Sequence, residues 1–151
     1  YMDGEVESEM KLIGEISKFI RKYTIDIACT HEPALQYLAT YDKTGFFVQH
    51  RDHRKVGEAV IDAVYPFSRD RSFFHEHYAE GIEPHSLYDI LLTDEKECNF
   101  EFDYTKDLEM KKAAMRIHKS QFNEESIEDI VNAFKFGDRY LERFNYLKLK
   151  W

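Results

Sequence analysis

The sequence contains few residues that interrupt regular structure and few cysteines. Its 151 residues include 3 Pro, 6 Gly and 2 Cys. So little proline and glycine predicts that helices and strands, rather than long loops, make up most of the chain. Nothing in the placement of Cys29 and Cys98 calls for a bridge, so we expect free thiols in a reducing compartment.

The chain also lacks a long apolar run and an excess of positive charge. No apolar run approaches the ~20 residues that span a bilayer, so no membrane contact is expected. The formal net charge is −8, whereas domains that bind nucleic acid unaided are usually basic. This acidic balance favours solubility, or docking onto a basic protein partner.

The apolar content is sufficient for one folded domain. Hydrophobic residues make up 43% of the chain and aromatic residues 15%. The length falls within the usual range of ~100–200 residues per domain, and the sequence contains no internal repeat or low-complexity linker. We therefore predict a single domain over residues 1–151.

The apolar pattern predicts both helices and strands. Several segments have a helical period or a capping signal: 10–20, 25–41, 69–79, 106–114, and 126–147 with a break or bend at Gly137. Other segments have the pattern of strands, the last two forming a hairpin: 46–48, 59–65, 87–92 and 99–105. The expected fold class is α/β (α+β), with a mixed central sheet of about five strands flanked by helices.

Two acidic residues and a lysine form the most suggestive set of side chains. Asp89 and Glu101 fall on the two arms of the predicted hairpin, and Lys112 follows on the next helix. A divalent-metal nuclease uses carboxylates to hold the cation and a lysine to stabilise developing charge. His31, near a predicted helix start, could add a softer ligand. The alternative is a solvated hairpin face, because acidic residues number 29.

Two histidine pairs are candidates for zinc binding. His50 and His53 form one pair, and His75 and His77 form the other. A structural zinc site needs four ligands, and neither pair is accompanied by the cysteines or second histidine pair that would complete it. The sequence therefore does not predict structural zinc.

Short motifs occur in an order that resembles a known family. They are Cys29-Thr30-His31, Arg69-Asp70-Arg71, Gly81-Ile82-Glu83-Pro84, Leu87-Tyr88-Asp89, Glu101 with Thr105, and Lys112-Ala113. In this order they resemble the N-terminal endonuclease domain of the orthomyxovirus polymerase acidic subunit. The start, Lys22-Tyr23-Thr24-Ile25, is most similar to the thogotovirus branch and, within it, to Dhori virus.

This resemblance implies a fold, a cellular context and a set of partners. The fold would be PD-(D/E)XK nuclease-like, in an N-terminal piece excised from a larger polymerase subunit. The partners would be the other subunits of a heterotrimeric viral polymerase, with viral or capped host RNA bound only within that complex. The location would be the host nucleus and the virion, or the cytoplasm if the protein is not viral.

The resemblance also implies a degenerate cap-snatching site. His31 and Glu101 fall on metal-ligand positions, and Lys112 falls on the position of the assisting lysine. Two further ligand positions are occupied by Phe67 and Ser86, which lack carboxylates. Asp89 is a possible substitute for Ser86, but nothing replaces Phe67. With too little negative charge to offset the dehydration of a cation, we expect no bound cofactor, no nuclease activity and a structural role in the polymerase.

Two alternatives stay open at this point. The first is an active Mn²⁺- or Mg²⁺-dependent RNA endonuclease that uses His31, Asp89, Glu101 and Lys112. The second is a small acidic protein-binding module, such as a bacterial immunity protein, which the net charge of −8 favours.

Overall fold

A computed structural model describes residues 2–39, 44–93 and 98–151. The helices are α1 (Met10–Tyr23), α2 (Arg51–Asp62), α3 (Glu76–Ala79), α4 (Leu108–Ile117) and α5 (Glu124–Ala133). The strands are β1 (Ile27–His31), β2 (Tyr37–Ala39), β3 (Phe46–Val48), β4 (Asp89–Thr93), β5 (Phe100–Asp103), β6 (Lys135–Phe136) and β7 (Arg139–Lys148). Helix α2 continues into a kinked π-type turn over Ala63–Phe67, and a 3₁₀ turn over Thr105–Asp107 precedes α4.

The centre of the fold is a five-stranded mixed sheet with the order β1-β4-β7-β5, in which β6 also pairs with β7. Strand β1 runs parallel to β4, and the other pairings in this sheet are antiparallel. A separate antiparallel hairpin is formed by β2 and β3. The predicted fold class is confirmed at this level, as a mixed α/β sheet flanked by helices.

One face of the sheet is packed against helices and the other is more open. Ile90 and Leu92 of β4 belong to a buried core that includes residues of α1 and α2. Because side chains alternate along a strand, His31 of β1 and Thr93 of β4 project from the opposite face. The histidine and threonine are direct partners in the β1–β4 register.

Several local predictions are wrong. Residues 25–39 form β1, a turn and β2 instead of a helix, because a short buried strand and a short buried helix have similar apolar content. Residues 40 and 41 of that predicted helix lie outside the described residues. Residues 59–65 lie mostly in α2, where Ala59 is fully buried against the core. Strands β4 and β5 do not pair with each other as a hairpin, because β7 lies between them. Residues 94–97 of that predicted hairpin turn lie outside the described residues.

The C-terminal region also differs from the predicted long helix. Helix α5 has a true capping box, although its N-cap is Asn123, which bonds reciprocally with Ser126. The helix ends at Ala133, and Gly137, with φ of +63°, forms the turn between β6 and β7. Such a turn needs a positive φ that glycine adopts without strain, so the chain reverses where a helix was predicted to break or bend.

Two further sequence predictions concern cysteine and membranes. Cys29 and Cys98 are both free, as the sequence predicts. Within the three described ranges, none of the helices combines the length and the apolar character that a bilayer crossing requires.

Candidate functional site

Three histidines meet where the end of β1 approaches the start of α2. His31 is the last residue of β1, His50 is the N-cap of α2, and His53 lies one turn into that helix. The rings of His31 and His53 are stacked, with centroids 4.0 Å apart and planes 2° from parallel. The rings of His50 and His53 have centroids 5.4 Å apart. We refer to His31, His50 and His53 as the histidine cluster.

The close contact between β1 and α2 depends on a glycine. A Cβ atom at Gly57 would lie 2.5 Å from the carbonyl oxygen of His31 and 3.2 Å from Cβ of Pro33. Any larger residue would therefore push against the backbone of β1. The glycine allows the helix to lie against the strand end, which brings His53 onto His31.

A buried glutamine connects the segments on either side of the cluster. Gln49 is only 1% exposed. With its side-chain amide turned so that the nitrogen faces backbone carbonyls, that nitrogen donates to the carbonyls of Leu35 and Glu32. Its backbone N–H donates to the carbonyl of Gln36 at 2.9 Å. These bonds fix the position of the next residue, His50, relative to the chain that follows His31.

Two carboxylates lie beside His50. The ring Nδ1 of His50 accepts a hydrogen bond from the backbone N–H of Asp52 at 3.2 Å, which leaves Nε2 3.5 Å from Oδ1 of Asp3. The carboxylate of Asp52 accepts hydrogen bonds from the N–H groups of Gly4 at 2.7 Å and Val6 at 3.2 Å. Asp52 thus holds the N-terminal segment against α2 and keeps Asp3 close to His50.

The donor atoms of this region are suitable for a divalent transition metal. One ligand atom from each of Asp3, His50 and Asp52 lies within 4.8 Å of the other two, and the ring of His53 is adjacent. Imidazole nitrogen and carboxylate oxygen are the ligands that zinc takes in catalytic sites. The residues present therefore fit a zinc-like cation.

The hydroxyl group of Thr93 orients the imidazole ring of His31. Oγ1 of Thr93 lies 3.3 Å from Nδ1 of His31, in a hydrogen bond whose direction depends on the tautomer of the ring. Because this bond engages Nδ1, exchange of a proton with a bound molecule would have to use Nε2.

The structure separates most of the residues that the sequence grouped into a nuclease site. Glu101 on β5 lies three strand spacings from His31 in the sheet order, about 14 Å at the usual ~4.8 Å per strand. Its carboxylate is 3.0 Å from the guanidinium of Arg143. Lys112 on α4 donates to Glu128 at 2.6 Å, which raises the pKa of the lysine.

Asp89, the possible substitute ligand, lies at the far end of β4. In the β1–β4 register Asp89 pairs with Ile27, whereas His31 pairs with Thr93. Four residues, or about 13 Å along the strands, therefore separate Asp89 from the histidine. Its carboxylate accepts hydrogen bonds from Lys148 at 2.8 Å and Tyr146 at 2.6 Å. These two bonds lower the pKa of Asp89.

Phe67 and Ser86, the two ligand positions without a carboxylate, lie in different parts of the fold. Phe67 packs against Phe73 and Phe74, with centroids 4.7 and 5.6 Å away. Ser86 lies in the connection between α3 and β4. The roles given to Phe67, Ser86, His31, Glu101 and Lys112 came from the nuclease resemblance. Whether His31 and Glu101 bind a cation stays a prediction, as does the absence of a cofactor.

The sequence reasoning missed the grouping of His50 and His53 with His31. The two α2 histidines are spaced i, i+3, which places them on one side of a helix. From the sequence, the His50–His53 pair was compared only with structural zinc sites, which need four protein ligands. A catalytic site needs fewer protein ligands, so the same spacing could have indicated one.

Comparison with known proteins gives a consistent result. No family model matches the chain. The diacetylchitobiose deacetylase of Thermococcus kodakarensis is 29% identical over 123 residues, which are 82% of this chain and 42% of that protein. The chain therefore spans less than half the length of this curated relative.

Two solved structures have the same fold. The N,N'-diacetylchitobiose deacetylase from Pyrococcus horikoshii, complexed with an inhibitor, superposes with a TM-score of 0.77 at 26% identity, covering 98% of this chain and 55% of that one. The conserved protein TT1542 from Thermus thermophilus superposes with a TM-score of 0.71 at 14% identity, covering 100% of this chain and 65% of that one. The second likeness is one of fold alone.

These findings overturn the resemblance to the viral endonuclease domain. Both deacetylases match far more of the chain than the scattered nuclease motifs do, so the PD-(D/E)XK fold, the cap-snatching function and the polymerase partners are wrong. The prediction of a non-catalytic scaffold is wrong as well, because the two diacetylchitobiose deacetylases that match the chain are enzymes. The predicted localisation and the single domain stay predictions.

Proposed function

We propose that this chain forms part of a metal-dependent deacetylase that removes the acetyl group from N-acetylated amino sugars. The observation that carries the proposal is the superposition of 98% of the chain, with a TM-score of 0.77, on a deacetylase of N,N'-diacetylchitobiose. The identity of 29% with a second diacetylchitobiose deacetylase supports it.

The histidine cluster supports this proposal independently of the comparisons. Amide hydrolysis needs a group that polarises the carbonyl or activates water, and a group that moves a proton to the leaving amine. His50 and the carboxylates of Asp3 and Asp52 are suited to hold a divalent cation, with the ring of His53 next to that of His50. When bound, such a cation would supply Lewis-acid chemistry at the amide carbonyl.

The remaining residues position the reacting groups. The stacked ring of His31 keeps His53 in one orientation, and the hydroxyl of Thr93 restrains His31 in turn. His31 is then placed to hold or transfer a proton at Nε2, beside the residues that would hold the cation. Gln49 and Gly57 hold α2 close to the end of β1, which keeps the three histidines together.

Two measurements on the expressed chain test the proposal. The first is release of acetate from N,N'-diacetylchitobiose in the presence of Zn²⁺. The second is titration with Co²⁺, whose visible absorption reports nitrogen and oxygen ligands without requiring activity. We expect saturable Co²⁺ absorption in the wild type and an affinity at least about 10-fold lower in His53→Ala, since loss of even an outer partner costs about 10–100-fold.

His118→Ala is the matched control, because His118 is an exposed histidine at the C-terminal end of α4. It should bind Co²⁺ as the wild type does. The proposal fails if the wild type neither binds Co²⁺ nor releases acetate. It also fails if His53→Ala and His118→Ala bind Co²⁺ equally well.

A further inference from the structure

A cavity of about 640 Å³ lies between the β2–β3 hairpin and the more open face of the sheet. Leu35, Leu38 and Phe47 line it from the hairpin side, Phe144 lines it from β7, and Phe134 lines it from the end of α5. Pockets for small molecules usually measure about 300–1,000 Å³ and are mostly apolar. The size and the lining therefore suit one small apolar group.

The cavity adjoins the histidine cluster. Thr93 lines the cavity, and its hydroxyl is the group that lies 3.3 Å from Nδ1 of His31. Ala34, which also lines the cavity, is only three residues beyond His31 in the sequence. A molecule held at the cluster could therefore extend into the cavity past Thr93.

The charged residues at the cavity already have partners of opposite charge. Glu142 accepts a hydrogen bond from Lys111, and Arg143 lies 3.0 Å from Glu101. A charged ligand would have to compete with these pairs while giving up its own hydration. The lining therefore favours a neutral, apolar group over a charged one.

We propose that this cavity holds an apolar substituent of the substrate while the N-acetyl group lies at the histidine cluster. The inference rests on the proposed deacetylase function and narrows its substrate class. The preferred substrate is an N-acetylated amino sugar that carries a neutral alkyl or aryl group, and removal of that group from water contributes to binding.

Calorimetric titration of the whole chain, loaded with Zn²⁺, tests this with three ligands. They are methyl β-N-acetylglucosaminide, octyl β-N-acetylglucosaminide and octyl β-glucoside, all below their micellar concentrations. We expect the octyl N-acetylglucosaminide to bind at least about 10-fold more tightly than the methyl compound, since each buried methylene adds to the affinity. Equal binding of these two compounds would overturn the cavity proposal and leave the proposed function standing.

Two variants locate the binding of the octyl group. Ala34→Phe fills the cavity and Phe47→Ala removes part of its wall, so each should reduce the advantage of the octyl compound over the methyl compound to less than about 3-fold. The control is Phe19→Ala, which removes a ring that is 62% exposed on α1. Equal losses in Phe19→Ala and Phe47→Ala would overturn the proposal, because they would indicate unspecific association of the octyl chain.

The third ligand separates the two proposals. Octyl β-glucoside lacks the acetamido group, so it should bind more weakly than octyl β-N-acetylglucosaminide if that group is recognised at the histidine cluster. If both octyl compounds bind equally and Ala34→Phe weakens both, the cavity accepts apolar groups and the deacetylase proposal fails. If none of the three ligands binds, both proposals fail.

Discussion

Arg21 shows how one buried side chain can organise an irregular segment. It is 3% exposed, and its guanidinium donates to the carbonyls of Ser68 at 2.9 Å, Phe67 at 2.8 Å and Asp70 at 2.9 Å. Arginine presents its donors in a rigid fork, so one residue of α1 can bind several carbonyls of this segment, including that of Ser68, which also accepts from the N–H of His85. The nuclease resemblance placed one lost metal ligand in this segment, at Phe67, whereas the carbonyl of Phe67 binds Arg21.

His77 makes stability depend on pH. It is 3% exposed, and its Nδ1 lies 3.2 Å from Nη1 of Arg21. Burial lowers the pKa of His77, and the positive charge of Arg21 lowers it further. The folded protein therefore keeps this ring neutral at pH values where the unfolded chain, with its pKa near 6.5, has already bound a proton.

We predict that this histidine destabilises the fold as the pH falls below about 6.5. Above that value neither state is protonated, and the effect is absent. Below it the unfolded state binds more protons, and the free energy of unfolding decreases by up to about 1.4 kcal/mol per pH unit until the folded pKa is reached. Urea unfolding at pH 7.5 and 5.5 should give a smaller difference for His77→Gln than for the wild type. His75→Gln, at an exposed histidine, should retain the wild-type difference, and an unchanged difference in His77→Gln would contradict the prediction.

At the scale of elements, Gly57 determines how closely α2 approaches β1. An exposed helical glycine is usually about 1 kcal/mol less favourable than alanine, so Gly57→Ala would stabilise an isolated helix. Here the added Cβ would meet the His31 carbonyl at 2.5 Å, and overpacking of this kind costs about 1–3 kcal/mol. The cost of this contact should exceed the gain in helix propensity, because the atom that the Cβ meets is a backbone oxygen and cannot rotate away as a side chain could.

We therefore predict that Gly57→Ala lowers the free energy of unfolding by up to about 2 kcal/mol, the overpacking cost less the gain in propensity. The measurement is urea unfolding, with NMR shifts of the His31 and His53 ring protons reporting loss of their stacking. Gly45→Ala is the control, because nothing lies within 4 Å of a Cβ at Gly45. The prediction is contradicted if Gly57→Ala is as stable as Gly45→Ala and retains the ring shifts.

The elements also show where sequence reasoning succeeded. Helix α1 has a regular apolar face and could be predicted. A capping box was also expected at the start of α5, but the prediction began it at Ser126, whereas the N-cap is Asn123. Strand β7 could not be predicted, because Tyr140, Leu141, Phe144 and Leu147 recur with a helical spacing. Their strand conformation results from pairing with β4 and β5 on either side, and such long-range pairing leaves no local signal.

The candidate site was hidden for a related reason. Its three histidines come from a strand end and a helix start that are separated by a hairpin, and β1 was predicted as a helix. Without the parallel pairing of β1 with β4, His31 has no predicted relation to His50 or Thr93. Asp89 and Glu101 instead suggested a metal site, but they lie on β4 and β5, which β7 separates.

At the scale of the whole molecule, the relatives contain more polypeptide than this chain. The chain corresponds to 55% of the Pyrococcus horikoshii structure, and the sheet face that carries His31 also carries the half-exposed Phe102 of β5 and the exposed Ile27 of β1. Only the β1–β4 pairing of this sheet is parallel, and antiparallel sheets commonly have one face packed on the core and one face solvated. The candidate site therefore lies on the less covered face of the sheet, where a substrate can reach it.

A cation held jointly by the N-terminal segment and the start of α2 should stabilise the fold. Asp3, His50 and Asp52 come together only when the N-terminal segment is docked on α2, so the unfolded chain should offer no comparable site. At a free Zn²⁺ concentration 100 times the Kd, the gain would be about 2.7 kcal/mol. For a chain of this length, that gain corresponds to a rise in Tm of about 5–10 °C.

Thermal unfolding followed by circular dichroism, with and without Zn²⁺, measures this shift, and excess EDTA should reverse it. His50→Ala should lose most of the rise, because His50 is the residue that lies between the two carboxylates. His118→Ala should keep it, since that imidazole is exposed and belongs to another part of the chain. An equal rise in all three proteins would mean that Zn²⁺ binds elsewhere, and the metal centre would then have to be sought away from the start of α2.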